Sequence, residues 1–169
     1  MIFSNLILLG ISTLLITVLG FIIYLNNPKS ITNKTFLFIS VITIFLSIFN
    51  FLYHQSNLEN LSLLFLRIHM FFAVWHAFLM FYLYYVFPQE KIVYSKFFKF
   101  VLFPWVIFLS ILTLTPLVFE KVNSFYPNGL VKEVKTNFGI IFISLTFLFF
   151  FLSFFIGFIK KIYQTQDKL

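Results

Sequence analysis

The chain has 169 residues, of which 61% are hydrophobic and only 10% are charged, and its formal net charge is +7. A soluble domain carries about 25% charged residues, so this composition predicts an integral membrane protein. The lysines stand mostly in short segments between apolar runs, where they set membrane topology, and the positive charge therefore does not indicate nucleic-acid binding. Because the chain has no cysteine, disulfides and thiolate metal sites are excluded.

The apolar runs are continuous and about 20 residues long, which is enough to cross a hydrocarbon core of roughly 30 Å as a helix. Membrane barrel strands would instead alternate over about ten residues. We therefore predict an all-α integral membrane protein with five transmembrane helices in a single membrane domain, residues 1–169. We expect Pro116 to kink or stop the fourth of these helices. The predicted spans are 6–25, 35–53, 63–87, 100–119 and 138–159.

The segment between spans four and five differs from the other loops. Its centre reads Tyr126-Pro127-Asn128-Gly129, and its flanks mix β-branched and charged residues. Proline presets φ at a turn, and asparagine or glycine accepts positive φ there. This pattern predicts a small external β-hairpin over the helices, whose register the sequence does not assign. An unstructured loop is the alternative.

The distribution of lysines predicts the orientation of the chain. Five spans place the termini on opposite sides, and cytoplasmic segments carry the excess of Lys and Arg. With the N-terminus outside, the inner segments hold eight lysines, and the outer ones hold three. We therefore expect a multi-pass plasma-membrane protein with an outer N-terminus and a cytoplasmic C-terminus. The inner lysines are Lys29, Lys34, Lys91, Lys96, Lys99, Lys160, Lys161 and Lys168, and the outer ones are Lys121, Lys132 and Lys135.

Span three carries three ionisable residues within its apolar run, namely Arg67, His69 and His76. Such groups are costly near the membrane centre, by about 3 kcal/mol for a charged side chain on insertion scales, so we expect them to face the bundle interior, a cavity or the interface. His69 and His76 are seven residues apart and share one helix face. The three residues are our candidates for ligand sensing. The alternatives are hydrogen-bonded packing or interface groups, a pH-sensing role and, with His54 recruited, a metal or a haem between two helices.

Motifs of catalysis and phosphate binding are absent from the sequence. It contains no P-loop, dinucleotide-binding or metalloprotease pattern, and its five acidic residues all lie in predicted loops or the tail. We therefore predict that the chain is not an enzyme, binds no cofactor and uses no metal.

The layout resembles the N-terminal seven-transmembrane sensor region of bacterial and archaeal histidine kinases. The residues that carry the resemblance are Asn27-Pro28-Lys29 and Asn33-Lys34-Thr35-Phe36 around the first inner loop, together with Arg67, Phe87-Pro88 and the predicted hairpin between spans four and five. The family continues with two more helices and cytoplasmic domains, whereas this sequence ends at Leu169, so we expect a truncated product or a fragment.

The resemblance implies a sensory input module of a signal-transduction histidine kinase in a two-component system, without catalysis of its own. The candidate partners are the lipid bilayer, a downstream cytoplasmic kinase or sensor domain, and a second copy of the chain. The alternative is a stand-alone small polytopic membrane protein, such as a transporter piece or a structural subunit. Transport would favour broken helices and internal repeats, and the sequence shows neither clearly.

Overall fold

The computed structural model describes residues 2–55, 59–87, 94–127 and 130–166. It is mostly helical, and it contains one small antiparallel sheet. A π-helical segment, Phe98–Leu102, leads directly into the fourth helix. The helices are α1 (Ile2–Asn26), α2 (Ile31–Gln55), α3 (Glu59–Val86), α4 (Phe103–Thr113) and α5 (Gly139–Gln166), and the strands are β1 (Phe119–Phe125) and β2 (Val131–Thr136).

Four of the described helices, α1, α2, α3 and α5, are long and apolar enough to cross a membrane. Each is longer than its predicted span, because the helix continues into flanking residues, many of them polar, at one or both ends. The protein thus has the features of a multi-pass membrane protein. Four to five of its helices are apolar enough to lie in a bilayer.

The fourth predicted span, 100–119, was too long at its carboxyl end. The apolar helix there runs only over Phe98–Thr113. Pro116 has no N–H to donate to the carbonyl oxygen of Leu112, and proline disfavours helical backbone at the residue before it. The chain instead tightens into turns, in which the amide of Thr115 bonds to the carbonyl oxygen of Leu112 at 3.1 Å.

The helix α3 lies at the centre of the bundle. It packs against α2, α4, α5 and β1, whereas α1 packs against α2. Because α3 packs against several elements, its buried residues belong to more than one interface. Val74 and Phe78 of α3 join Leu109 of α4 and Phe150 of α5 in one hydrophobic core.

The predicted hairpin is confirmed, and the structure gives its register. Phe119 pairs with Thr136, Val122 with Val134, and Phe125 with Val131, with irregularities between these pairs. Of the predicted turn, Asn128 and Gly129 lie outside the described residues. The buried side chains of the two strands are Phe119, Val122 and Val131, and Val118, which precedes β1, is also buried.

One ion pair lies on the outer face of the hairpin. Lys135 Nζ is 2.9 Å from a carboxylate oxygen of Glu120, and its hydrogen bond to the carboxylate lowers the pKa of the Glu120 side chain. Both side chains are exposed, so the pair contributes little to stability.

Candidate functional site

The three ionisable residues of α3 lie in different surroundings. Arg67 faces the hairpin, where its Nη2 donates a hydrogen bond of 2.6 Å to the carbonyl oxygen of Phe119. Its Nε is buried and has no hydrogen-bond partner among the described residues. Arg67 therefore tethers the start of β1 to α3, instead of extending along the helix toward the interface.

His69 faces the neighbouring helix α2. Its Nδ1 lies 3.1 Å from the carbonyl oxygen of Leu46, which can only accept, so Nδ1 carries the proton in this contact. The carbonyl group of Leu46 lies inside α2 and can also accept a backbone hydrogen bond within that helix. Its oxygen has a second lone pair with which it can accept the bond from His69. The bond gives a polar ring a partner between two apolar helices, where an unpaired donor would be costly.

His76 lines a cleft of about 640 Å³ between α3 and α5, with Leu46 of α2 at its side. Ala73 and Ala77 line the α3 wall of this cleft, and their small side chains leave room between the helices. Its other walls are mostly phenylalanine side chains of α5, and Ser144 is the second polar group. The volume falls within the roughly 300–1,000 Å³ of known ligand sites, and the lining suits an apolar molecule with one hydrogen-bonding group.

The seven-residue spacing puts both histidines on one face of α3, and Leu46 of α2 bonds to His69 and also lines the cleft at His76. It does not make one compact site. By helical rise, about 10 Å of α3 separates His69 from His76, and Arg67 is further away on the hairpin side. Within the part of the chain that the structure describes, no group of three His, Cys, Asp or Glu residues could hold a metal ion.

A junction that the sequence did not reveal ties the ends of α3 and α5 together. Lys161 Nζ donates to the carbonyl oxygens of Tyr84, at 2.6 Å, and of Phe87. It also lies 4.6 Å from the centre of the Tyr84 ring. That ring packs directly on Gly157, where no side chain intervenes. From the sequence, Lys161 is only one of the lysines that predict the orientation of the chain. Its contact with Tyr84 is not predictable, because the two residues are 77 positions apart.

The chain matches no protein-family model, no curated protein and no solved structure.

Proposed function

We propose that the chain is the membrane-embedded input module of a signal-transduction histidine kinase, and that it has no catalytic activity of its own. The observation that carries the proposal is the cleft at His76, which lies between the central helix α3 and the last helix α5. A molecule in this cleft contacts α5, and α5 leads to the end of the chain that we assign to the cytoplasm.

The ligand class follows from the lining of the cleft. His76 and Ser144 are its polar side chains, and the rest of the surface is aliphatic or aromatic. The proposed ligand is an apolar molecule that reaches the cleft through the bilayer and carries one hydrogen-bonding group, such as a hydroxyl or a carbonyl. In this account His69 and Arg67 do not touch the ligand. They hold α2 and the hairpin against α3.

The junction at Lys161 is the proposed output element. It fixes the end of α5 to the end of α3 through two carbonyl oxygens and the Tyr84 ring. A ligand shifts an equilibrium only when it binds two arrangements with different affinity. We propose that these arrangements differ in how α5 sits on α3, and that a downstream domain reads the difference.

The proposed topology has five crossings, an outer N-terminus and a cytoplasmic C-terminus. Hydrogen bonds between helix ends support it, because they bring six lysines to the end of the bundle opposite the hairpin. Thr32 at the start of α2 bonds to the carbonyl oxygen of Val86 at the end of α3. The hydroxyls of Tyr82 in α3 and Tyr94 before α4 lie 2.6 Å apart. The six are Lys29, Lys34, Lys96, Lys99, Lys160 and Lys161.

The fourth crossing is assigned to Phe98–Thr113, which spans about 24 Å by helical rise and requires slight local thinning of the bilayer.

Cysteine labelling tests the topology, because the chain has no native cysteine. Single cysteines at Asn57 and Asn128 should react with an impermeant thiol reagent on intact cells, and cysteines at Ser95 and Gln166 should react only after the cells are opened. Full labelling after solubilisation controls for buried thiols. Reaction of Ser95→Cys on intact cells would reverse the orientation.

A cleft-filling substitution tests the input function without an identified ligand. Ala77→Phe places a ring where we propose that the ligand binds, and it should move the end of α5. We expect the distance between spin labels at Lys29→Cys and Tyr163→Cys, both exposed and at one end of the bundle, to change by about 2 Å, the size of common helix shifts. Pulsed electron spin resonance in nanodiscs measures that distance.

The matched control is Leu145→Phe, which enlarges a side chain on α5 that is 60% exposed and outside the cleft. It should leave the distance unchanged. Ala73→Leu is the milder filling variant, in case Ala77→Phe does not fold. If both filled variants keep the distance of the unsubstituted protein, the input module is rejected in favour of a stand-alone small membrane protein.

A further inference from the structure

A second cleft, of about 550 Å³, lies between α2, α3 and the start of α4. Its walls are mostly aromatic, and they include Phe38, Trp75, Phe78, Tyr94 and Phe98. The cleft is distinct from the one at His76, which lies toward α5. Phe38 and Phe103 in its walls are exposed on the surface of the bundle, so a lipid chain in the bilayer could enter it from the side.

One lysine lines the mouth of this cleft, and helical spacing places a second beside it. Lys99 belongs to its lining and lies 5.9 Å from the centre of the Tyr94 ring. Lys34 does not line the cleft, but it precedes the lining residue Phe38 by one turn of α2, and because residues four apart lie on one helix face, we place it next to the mouth. Both lysines are exposed.

Polar hydroxyl groups lie at the same level as the lysines. The hydroxyls of Tyr82 and Tyr94 are 2.6 Å apart, and both residues line the cleft. Tyrosine favours the headgroup level of a membrane, where one end of the ring is apolar and the other is hydrated. The cleft is therefore apolar at depth and cationic and polar at its mouth, with no carboxylate among the described residues that line it.

We propose that this cleft binds one anionic phospholipid, with an acyl chain against Trp75 and Phe78 and the phosphate between Lys34 and Lys99. The charge at the mouth selects the anionic headgroup, and the aromatic walls take up the chain. An uncharged planar molecule would fit the walls but would leave the two lysines without a role. The site is independent of the ligand proposed at His76, and only its assignment to the inner leaflet depends on the proposed topology.

Tryptophan quenching tests the site, because the chain has two tryptophans and only Trp75 lies in this cleft. In the Trp105→Phe variant, Trp75 is the sole reporter. Phosphatidylglycerol or phosphatidylcholine with dibrominated acyl chains is titrated into nanodiscs of unbrominated lipid. Each lysine near a membrane surface adds roughly a fivefold preference for anionic lipid. With two lysines at the mouth, we therefore expect phosphatidylglycerol to quench Trp75 at about a 25-fold lower mole fraction than phosphatidylcholine.

Two controls separate a specific site from a general surface effect. The Trp75→Phe variant leaves Trp105, which packs on Phe108 and donates to Thr146 on another side of α4, and there the two lipids should quench alike. Lys34→Gln with Lys99→Gln should reduce the preference at Trp75 below about twofold, whereas Lys29→Gln with Lys160→Gln, at the same end of the bundle, should keep it. Equal quenching of Trp75 by both lipids, or a preference that survives Lys34→Gln with Lys99→Gln, overturns the proposal.

Discussion

Replacing Gly157 by leucine is expected to separate the ends of α3 and α5. A side chain at Gly157 would start 2.2 Å from the Tyr84 ring, well inside van der Waals contact, so the ring must leave its place. Displacing it also removes the contact of Lys161 with the ring. Overpacking of this kind costs about 1–3 kcal/mol. The measurement is the free energy of unfolding in mixed detergent micelles.

The chain offers a matched control for this substitution. Gly10 lies in α1, and a side chain added there would meet no atom within 4 Å. Gly10→Leu should therefore leave stability unchanged or raise it slightly, because glycine is a poor helix former. Equal losses of stability at both positions would show that the cost comes from added apolar bulk and not from the packing of Tyr84.

Replacing Arg67 by methionine is expected to release the hairpin from α3. Methionine keeps most of the apolar stem but loses the donor, so the carbonyl oxygen of Phe119 loses the hydrogen bond it accepts at 2.6 Å. A hydrogen bond from a charged group contributes about 1.5–3 kcal/mol. We expect amide exchange in β1 and β2 to become faster by roughly tenfold or more, as measured by hydrogen–deuterium exchange and mass spectrometry.

Arg67→Lys distinguishes the hydrogen bond from the charge. Lysine keeps the positive charge and a donor, and it should retain part of the protection that methionine loses. Exchange in α1, which packs on α2 away from Arg67, should not change in either variant. The opposite result, slower exchange of the hairpin in Arg67→Met than in the unsubstituted protein, would contradict the prediction. It would mean that the free-energy cost of burying the Arg67 charge exceeds the stabilisation from its hydrogen bond, so that Arg67 does not tether the hairpin.

The elements that depend on local sequence were predictable. The apolar runs alone indicate α1, α2, α3 and α5, because a helix satisfies its own backbone hydrogen bonds and needs no distant partner. Tyr126-Pro127 and the charged, β-branched flanks likewise indicate the hairpin. The fourth helix was less predictable, because the apolar run continues past Thr113 while Pro116 ends the helix.

The surroundings of the candidate residues were decided by tertiary structure. Helical spacing alone puts His69 and His76 on one face, but only the packing of α2 and α5 around α3 determines that one ring bonds to a backbone carbonyl and the other borders a cleft. Likewise, the sequence contains Gly157 and Lys161 without showing that they meet Tyr84. A cleft arises from gaps between helices distant in sequence, and no local pattern of hydrophobicity records where such gaps lie.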